Sequence, residues 1–274
     1  MATRTTTTDL DRIVAHLCAV EDAVAEWTEP LPWGTAVFHK GVPWVREVNV
    51  VRVETTHSVR PGEIAFAAES RFPAQPAVEV MHEPIGAAVA PALAAAGWQV
   101  SRHLLMALEG PAPPVAHPVE EVDPEVIWPL RAEWMRAEPW GTEEAVAAML
   151  AWERGRAELT GARAFCAMEG GRPVAMCLLL ATPHADEVER VYTSPAHRGR
   201  GLAYSVVARA AHEAGEHLTF LFTDAHGAAQ HLYARLGFRR AWVVYRFLRA
   251  EAFSKRRHPG SAGAERYPIR RPPA

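Results

Sequence analysis

The sequence predicts an α/β (α+β) fold, in which helices flank a mixed central sheet of parallel and antiparallel strands. Between residues 119 and 250, apolar residues at helical spacing alternate with short apolar runs bounded by Gly, Pro and polar residues. The segment from Val191 to Ala203, VYTSPAHRGRGLA, passes from a β-branched run through a turn with two glycines into an apolar helix. A strand, a tight turn and a helix in succession are a building unit of such sheets.

Composition limits the classes of partner. A chain of 274 residues with 49% hydrophobic residues can form two domains with packed cores. The net charge of -3 gives no field that favours nucleic acid or an anionic membrane, so neither is expected as a partner. Cys18, Cys166 and Cys177 lack CxxC spacing, which argues against a disulfide framework or a zinc cluster. No signal peptide or membrane span is expected, so a cytoplasmic location is predicted, and the composition favours a bacterial source.

A proline-rich segment divides the chain. Residues 111–118 contain four prolines, which exclude a regular helix or a central strand, and are predicted to be a linker. The linker separates a first domain, 1–110, from a second domain, 119–250. Residues 251–274 are basic and rich in Pro and Gly, and are predicted to be a disordered tail. An electrostatic contact between this tail and an acidic partner is the alternative.

The elements of the second domain follow from capping residues and periodicity. Asp123 before Pro124 predicts the start of one helix, and Thr142 before two glutamates predicts the start of the next. The later elements are a hairpin over 164–182, a strand over 186–193, a helix from 202, a strand over 218–223, a helix over 228–236, and one or two strands over 238–248.

The two halves share a pattern. A shift of 140 positions places residues 91–108 on residues 231–248, with a helix, a glycine, an aromatic residue and a strand in the same order. We interpret this as an internal duplication; a chance match of two common units is the alternative. The first half has residues 54–62 where a glycine loop is expected and Leu93 in place of Tyr233. We therefore expect it to have lost its ligand site.

The turn before residue 202 predicts an anion site. Gly199 and Gly201 allow backbone N–H groups to face a ligand, the following helix adds the positive end of its dipole, and Arg198 and Arg200 add charge. A pyrophosphate is the expected ligand. A dinucleotide fingerprint would need a third glycine where Tyr204 stands, and no Gly-Lys-Ser or Gly-Lys-Thr of a P-loop occurs. No HxxxH or HExxH pattern occurs among the histidines, so no metal is expected.

Two motifs carry a family resemblance. Arg198, Gly201 and Ala203 fit the pattern of Arg or Gln, two residues, Gly, one residue, and Gly or Ala. The second motif runs from Leu232-Tyr233 to Gly237-Phe238. With these motifs, residues 118–249 resemble the GNAT superfamily of acyl-CoA-dependent N-acyltransferases. The resemblance implies a GNAT fold with a V-shaped gap between two parallel strands and, with the duplication, two tandem GNAT-like domains.

The resemblance also implies roles for particular residues. Acetyl-CoA is the implied co-substrate, with a main-chain N–H near Tyr192 polarising the thioester carbonyl. Glu187 is the implied base, directly or through water, with Glu189 on the same strand face as a second candidate, and Tyr233 is the implied proton donor to the CoA thiolate. The alternatives are two solvated glutamates and a tyrosine that only packs. Coenzyme contacts are implied for Val191, Tyr192, Thr193, Arg198, Gly199, Arg200, Gly201, Leu202, Ala203, His226, Ala229 and Tyr233, with His226 replacing an asparagine common in the family.

We therefore expect an N-acetyltransferase that moves an acetyl or other small acyl group to a primary amine by direct attack in a ternary complex. The acceptor is expected to be a small molecule or a protein, and the enzyme a monomer or a homodimer. The alternative is a non-catalytic acyl-CoA-binding or scaffolding protein built as a tandem pseudo-dimer. A transferase that uses aminoacyl-tRNA is a third hypothesis, which the pyrophosphate loop and the net charge disfavour.

Overall fold

A computed structural model describes residues 7–39, 41–43, 45, 48–225 and 227–249. His226 and the predicted tail, 251–274, lie outside the described residues. The helices are α1 Thr7–Val24, α2 Pro61–Arg71, α3 Glu83–Ala95, α4 Trp128–Arg136, α5 Glu143–Thr160, α6 Leu202–Ala214 and α7 Ala229–Arg235. The strands are β1 Trp27–Leu31, β2 Gly34–Phe38, β3 Val50–Val53, β4 Ala77–Val80, β5 Trp98–Leu108, β6 Glu120–Val122, β7 Arg163–Glu169, β8 Arg172–Ala181, β9 Asp186–Thr193, β10 Thr219–Asp224 and β11 Phe238–Arg249.

The predicted capping residues act at the helix starts. The Thr142 hydroxyl accepts a hydrogen bond from the Ala145 N–H at 3.2 Å, which caps α5. The Asp123 carboxylate accepts one from the Glu125 N–H at 2.8 Å, but only a 3-10 turn follows it, and α4 begins at Trp128. Pro129 explains this delay, because proline has no N–H to continue the helical hydrogen bonds backwards.

The described strands form one mixed sheet with helices on both faces. Its eleven strands lie in the order β1-β2-β3-β4-β11-β5-β10-β9-β8-β7-β6. Buried residues of α2, α3, α6 and α7 pack in one hydrophobic cluster. Residues of α1, α4 and α5 pack in clusters with the alternate side chains of the strands. The predicted fold class, a mixed central sheet flanked by helices, is confirmed.

The last strand of each half pairs with a strand of the other half. Strand β5 of the first half pairs with β10 of the second, and β11 of the second half pairs with β4 of the first. Strands β5 and β11 also pair with each other, from Trp98 opposite Arg249 to Leu108 opposite Phe238. The halves are thus interdigitated within one sheet. The division into domains at 110 and 119 stays a prediction about the chain.

The order α2, β4, α3, β5 in the first half recurs as α6, β10, α7, β11 in the second. One difference concerns the parallel strands. Strands β3 and β4 stay paired from Val51 opposite Val78 to Val53 opposite Val80, and the Met81 N–H then donates to the Val53 carbonyl at 3.0 Å. The first half therefore has no gap between these strands for an extended ligand. The duplication itself stays a prediction.

The close approach of α3 to β11 is testable at Gly86. A Cβ atom at this position would lie 2.4 Å from Cδ2 of Tyr245. We expect Gly86→Ala to lower the free energy of unfolding by about 1–3 kcal/mol, because the added methyl overpacks this interface. Denaturant titration measures the change.

Gly62→Ala in α2 is the matched control, since a Cβ atom there meets nothing within 4 Å. It should leave stability unchanged or raise it by about 1 kcal/mol, because alanine favours helix more than glycine does. Equal unfolding midpoints for Gly86→Ala and the wild-type protein would contradict the packing described.

Candidate functional site

A gap opens between two parallel strands of the second half. Strands β9 and β10 pair at two positions, Asp186 with Thr219 and Glu187 with Phe220, and then separate. Beyond Glu187, β9 continues to Thr193 and is paired on its other side with β8. Backbone groups of β9 that face the gap are therefore open to pairing with an extended ligand. A gap between two parallel strands is what the family resemblance implies.

A β-bulge interrupts β9 inside the gap. Arg190 and Val191 together oppose Cys177, because the register with β8 shifts between Met176 and Leu178. Arg190 has φ 54°, the only positive φ at a non-glycine residue in the described part of the chain. An ion pair of 3.2 Å between Arg190 Nε and Glu153 Oε1 holds its side chain. The bulge increases the local twist and redirects the backbone groups that follow.

The glycine turn has the conformation that the sequence predicts. Gly199 and Gly201 have φ of 77° and 80°, in the left-handed region that favours glycine. No side chain caps α6, so the first N–H groups of this helix, from Leu202 and Ala203 onward, have no capping side chain as acceptor. A helix start of this kind favours an anion.

The two arginines of the turn have protein partners. Arg198 Nε donates to the Thr193 carbonyl at 3.1 Å. Arg200 Nη1 lies 2.9 Å from Glu169 Oε2, and His197 Nε2 lies 2.8 Å from the same oxygen. These partners must be exchanged or shared when an anion binds. The Thr193 hydroxyl is buried and has no hydrogen-bond partner in the described structure.

The predicted linker packs along α6, with contacts at the last turn and at the start of this helix. Residues 111–118 have no regular secondary structure, as predicted. The His117 N–H donates to the Ser205 hydroxyl at 3.1 Å, and the Pro113 carbonyl lies 2.8 Å from His212 Nε2. A Cβ atom at Gly201 would lie 3.3 Å from His117 Nε2, so the linker borders the glycine turn.

Two tyrosines near the gap differ in environment. Tyr233 is buried on α7, one turn after Ala229. Burial raises the pKa of Tyr233 to about 12, and nearby Cys177 adds to the shift, so the phenol is protonated at neutral pH and can donate a hydrogen bond. The Tyr192 ring instead stacks on Trp134 at 5.3 Å, and its hydroxyl donates to Glu133 at 3.1 Å. Tyr192 therefore offers the gap its main chain only.

A cavity of about 370 Å³ adjoins the gap, and both halves line it. Val191, Tyr233, Glu187 and Glu189 come from the second half. Helix α1 of the first half contributes one face, with spacing i, i+3, i+4 and i+7: Leu17, Val20, Glu21 and Val24. Helix α1 is amphipathic, but nothing in its local sequence indicates that it faces the second half.

The two candidate bases differ in their partners. Burial alone would raise the pKa of Glu189, but the charges of Arg156 and Arg190 outweigh it and lower this pKa to about 2. A carboxylate stabilised in this way is a poor proton acceptor near neutral pH. Glu187 is also buried, and its Oε2 lies 3.5 Å from His16 Nε2 on α1. The geometry favours Glu187 over Glu189 as a base.

A glutamate on the first-half wall of the cavity has a raised pKa. Burial and the charge of Glu79 raise the pKa of Glu21 to about 7, although Arg52 Nη1 lies 2.8 Å from its Oε2 and opposes the shift. A carboxyl group with such a raised pKa gains from a nearby cation.

Comparison with known proteins assigns the second half. The sequence profile of the acetyltransferase (GNAT) family matches residues 125–238. The C-terminal half of this chain belongs to the GNAT family. No curated protein matches the chain in sequence.

Solved structures share the fold of this chain. A GCN5-related N-acetyltransferase from Kribbella flavida is 20% identical with a TM-score of 0.62, covering 89% of this chain and 97% of its own. A GCN5-related N-acetyltransferase from Sphaerobacter thermophilus is 14% identical with a TM-score of 0.56, covering 91% and 95%. A functionally unknown conserved protein from Staphylococcus epidermidis is 12% identical with a TM-score of 0.64, covering 83% and 94%. These similarities show a common fold over both halves.

Membership in the GNAT family supports acyl transfer, of the N-acetyltransferase type, as the general activity, with an acyl-CoA and an acceptor as substrates. Among the described residues, no group of three or more His, Cys, Asp or Glu side chains is placed to hold a metal ion. No helix in the described ranges has both the length and the apolar character needed to cross a membrane.

The glycine turn can be tested at Gly201. Gly201→Val forces a β-branched residue into φ 80° beside His117 and should weaken acetyl-CoA binding by about tenfold or more in calorimetry. Gly97→Val is the control, because Gly97 also has positive φ, 89°, but a Cβ atom there meets nothing within 4 Å. Equal affinities for the two variants would remove Gly201 from the coenzyme site.

The raised pKa of Glu21 predicts a pH-dependent stability. The folded chain raises this pKa from 4.5 to about 7, so it favours the protonated form of Glu21. The stability that this protonated form contributes is fully present below about pH 4.5 and is lost as pH rises to about 7. Glu21→Gln has no such loss. Its Tm relative to the wild-type protein should therefore rise by about 2–5 °C between about pH 5 and about pH 8. A constant difference over this range would contradict the raised pKa.

Proposed function

We propose that the protein is an N-acetyltransferase that transfers an acetyl, or another small acyl group, from CoA to a primary amine within a ternary complex. One observation carries the proposal. The separation of β9 from β10 brings an open strand edge, a glycine turn at a helix start, a buried carboxylate and a buried phenol around one gap. Each of these groups has a use in acyl transfer from a pantetheine thioester.

Coenzyme binding is assigned to the gap and the glycine turn. The pantetheine arm pairs with the main chain of β9 at Val191 and Thr193, and the pyrophosphate binds the N–H groups from Arg198 to Ala203. A main-chain N–H near Tyr192, after the bulge, donates to the thioester oxygen as negative charge develops on it. His226 and Ala229 are the remaining residues that we assign to contacts with the pantetheine arm.

The chemistry needs two proton movements. Glu187 accepts a proton from the acceptor ammonium, and the freed nitrogen pair attacks the thioester carbonyl. The C–N bond forms, the C–S bond breaks, and the electron pair leaves on sulfur. The amine nitrogen then loses its second proton, and the thiolate takes up one proton, so the products are an amide, free CoA and the one proton held by Glu187.

Tyr233 is assigned as the donor of a hydrogen bond to the leaving sulfur. Its pKa of about 12 lies above that of an ordinary thiol, about 8.5, so complete transfer of the phenol proton to sulfur is uphill. A hydrogen bond still stabilises the developing thiolate. We therefore propose that Tyr233 donates a hydrogen bond to the CoA thiolate, and not its proton as the family resemblance implies.

The acceptor is assigned to the cavity between the halves. Its volume of about 370 Å³ suits a small molecule or a single side chain. The raised pKa of Glu21 favours an acceptor that carries a positive charge. In this arrangement the first half has no coenzyme site of its own and forms a wall of the acceptor site.

The proposal is tested by thiol release from acetyl-CoA in the presence of a panel of primary amines. At least one amine should support turnover. With that amine, Tyr233→Phe should lower kcat by about 10–100-fold and leave KM for acetyl-CoA within about twofold, because it removes a hydrogen bond formed mainly in the transition state.

Tight acetyl-CoA binding without thiol release for any amine would contradict the transferase and favour a non-catalytic acyl-CoA-binding protein. Full turnover by Tyr233→Phe would exclude Tyr233 from the mechanism while leaving the assignment of the gap unchanged.

A further inference from the structure

A histidine from the first half reaches the proposed base. His16 on α1 is fully buried, and its ring packs edge-on against Phe220 with centroids 5.1 Å apart. Phe220 lies opposite Glu187 where β10 and β9 still pair, so the histidine sits at the point where the gap begins.

The contacts of His16 fix which ring nitrogen carries a proton. Nδ1 lies 2.8 Å from the Ala185 carbonyl oxygen and 3.0 Å from the Thr182 hydroxyl. A carbonyl oxygen can only accept, so Nδ1 is protonated. In a neutral ring, Nε2 would then present a lone pair to Glu187 Oε2, 3.5 Å away.

Two lone pairs cannot face each other at this distance in a buried site without cost. One proton between Nε2 and Oε2 removes the conflict, whichever atom holds it. The carboxylates nearby have arginine partners: Glu189 with Arg156, Glu79 with Arg246, and Glu21 with Arg52. The ion-pair contact of Glu187 is with His16.

We propose that His16 is a positioning residue for Glu187: it shares one proton with Oε2 and fixes the carboxylate, and with that proton on Nε2 the other oxygen accepts the proton of the acceptor amine. This inference rests on the proposed function, in which Glu187 is the base. It also gives the first half a direct part in the reaction, since α1 completes a site whose other reacting groups lie in the second half.

Two substitutions of His16 distinguish the contact made by Nδ1 from the contact made by Nε2. His16→Asn keeps an amide near Nδ1, where it can donate to Ala185, but is too short to reach Glu187. His16→Gln places an amide nitrogen near the position of Nε2. With an amine that supports turnover, we expect His16→Asn to lower kcat by about 10–100-fold with KM for acetyl-CoA within about twofold, and His16→Gln to recover kcat to within about fivefold of the wild-type value.

A double-mutant cycle tests whether His16 acts through Glu187. In the Glu187→Gln background, His16→Asn should have no further effect on kcat. An equal loss in both backgrounds, or wild-type kcat for His16→Asn, would overturn the proposal. His82→Asn is the control for removing a histidine contact in the first half, here with the Glu54 carbonyl at 3.0 Å, and should leave kcat unchanged.

Nitrogen-15 NMR of labelled histidine provides a readout that does not need turnover. The His16 Nε2 resonance should shift on Glu187→Gln, while Nδ1 keeps the signature of a protonated nitrogen. An unchanged Nε2 resonance would overturn the proposal even if Glu187→Gln abolishes turnover. Full turnover by Glu187→Gln, with a shifted Nε2 resonance, would instead overturn Glu187 as the base and leave the shared proton established.

Discussion

The pairing of β5 with β11 is the interaction on which the arrangement of the molecule depends. These two strands lie at the centre of the sheet and pair from Trp98 opposite Arg249 to Leu108 opposite Phe238. Because each also pairs with a strand of the opposite half, both halves are held in a fixed relation. That relation places α1 of the first half over the point where β9 and β10 separate, so the acceptor cavity has walls from both halves.

The separation of β9 from β10 then gives the two halves different roles. In the second half, the parallel pair opens after Glu187 and is followed by a left-handed glycine turn. In the first half, the corresponding pair of β3 and β4 stays closed as far as Val53 and Val80. One gap, and not two, is available to a pantetheine arm in the described sheet. Buried charge is concentrated beside it, where arginines compensate Glu189, Glu79 and Glu21.

The sequence predicted what depends on local backbone chemistry. Gly199 and Gly201 indicate a turn with positive φ, because glycine adopts this conformation without strain. Thr142 predicts a helix start, because its hydroxyl can accept a hydrogen bond from a backbone N–H. The bulge at Arg190 was not predictable, because arginine carries no preference for positive φ. The contact of His16 with Glu187 was also missed. It depends on the pairing of β5 and β11 with strands of the opposite half, and their similar sequence patterns do not indicate which neighbours they pair with.

The exchange of strands has a consequence for how the chain is made. Strand β4 has its partner β11 more than 150 residues later in the chain, so during synthesis this edge of β4 is exposed until β11 emerges from the ribosome. Contacts this distant in sequence form slowly. The pairing of β4 in the first half is therefore complete only after β11 has been synthesised, which couples the folding of the two halves.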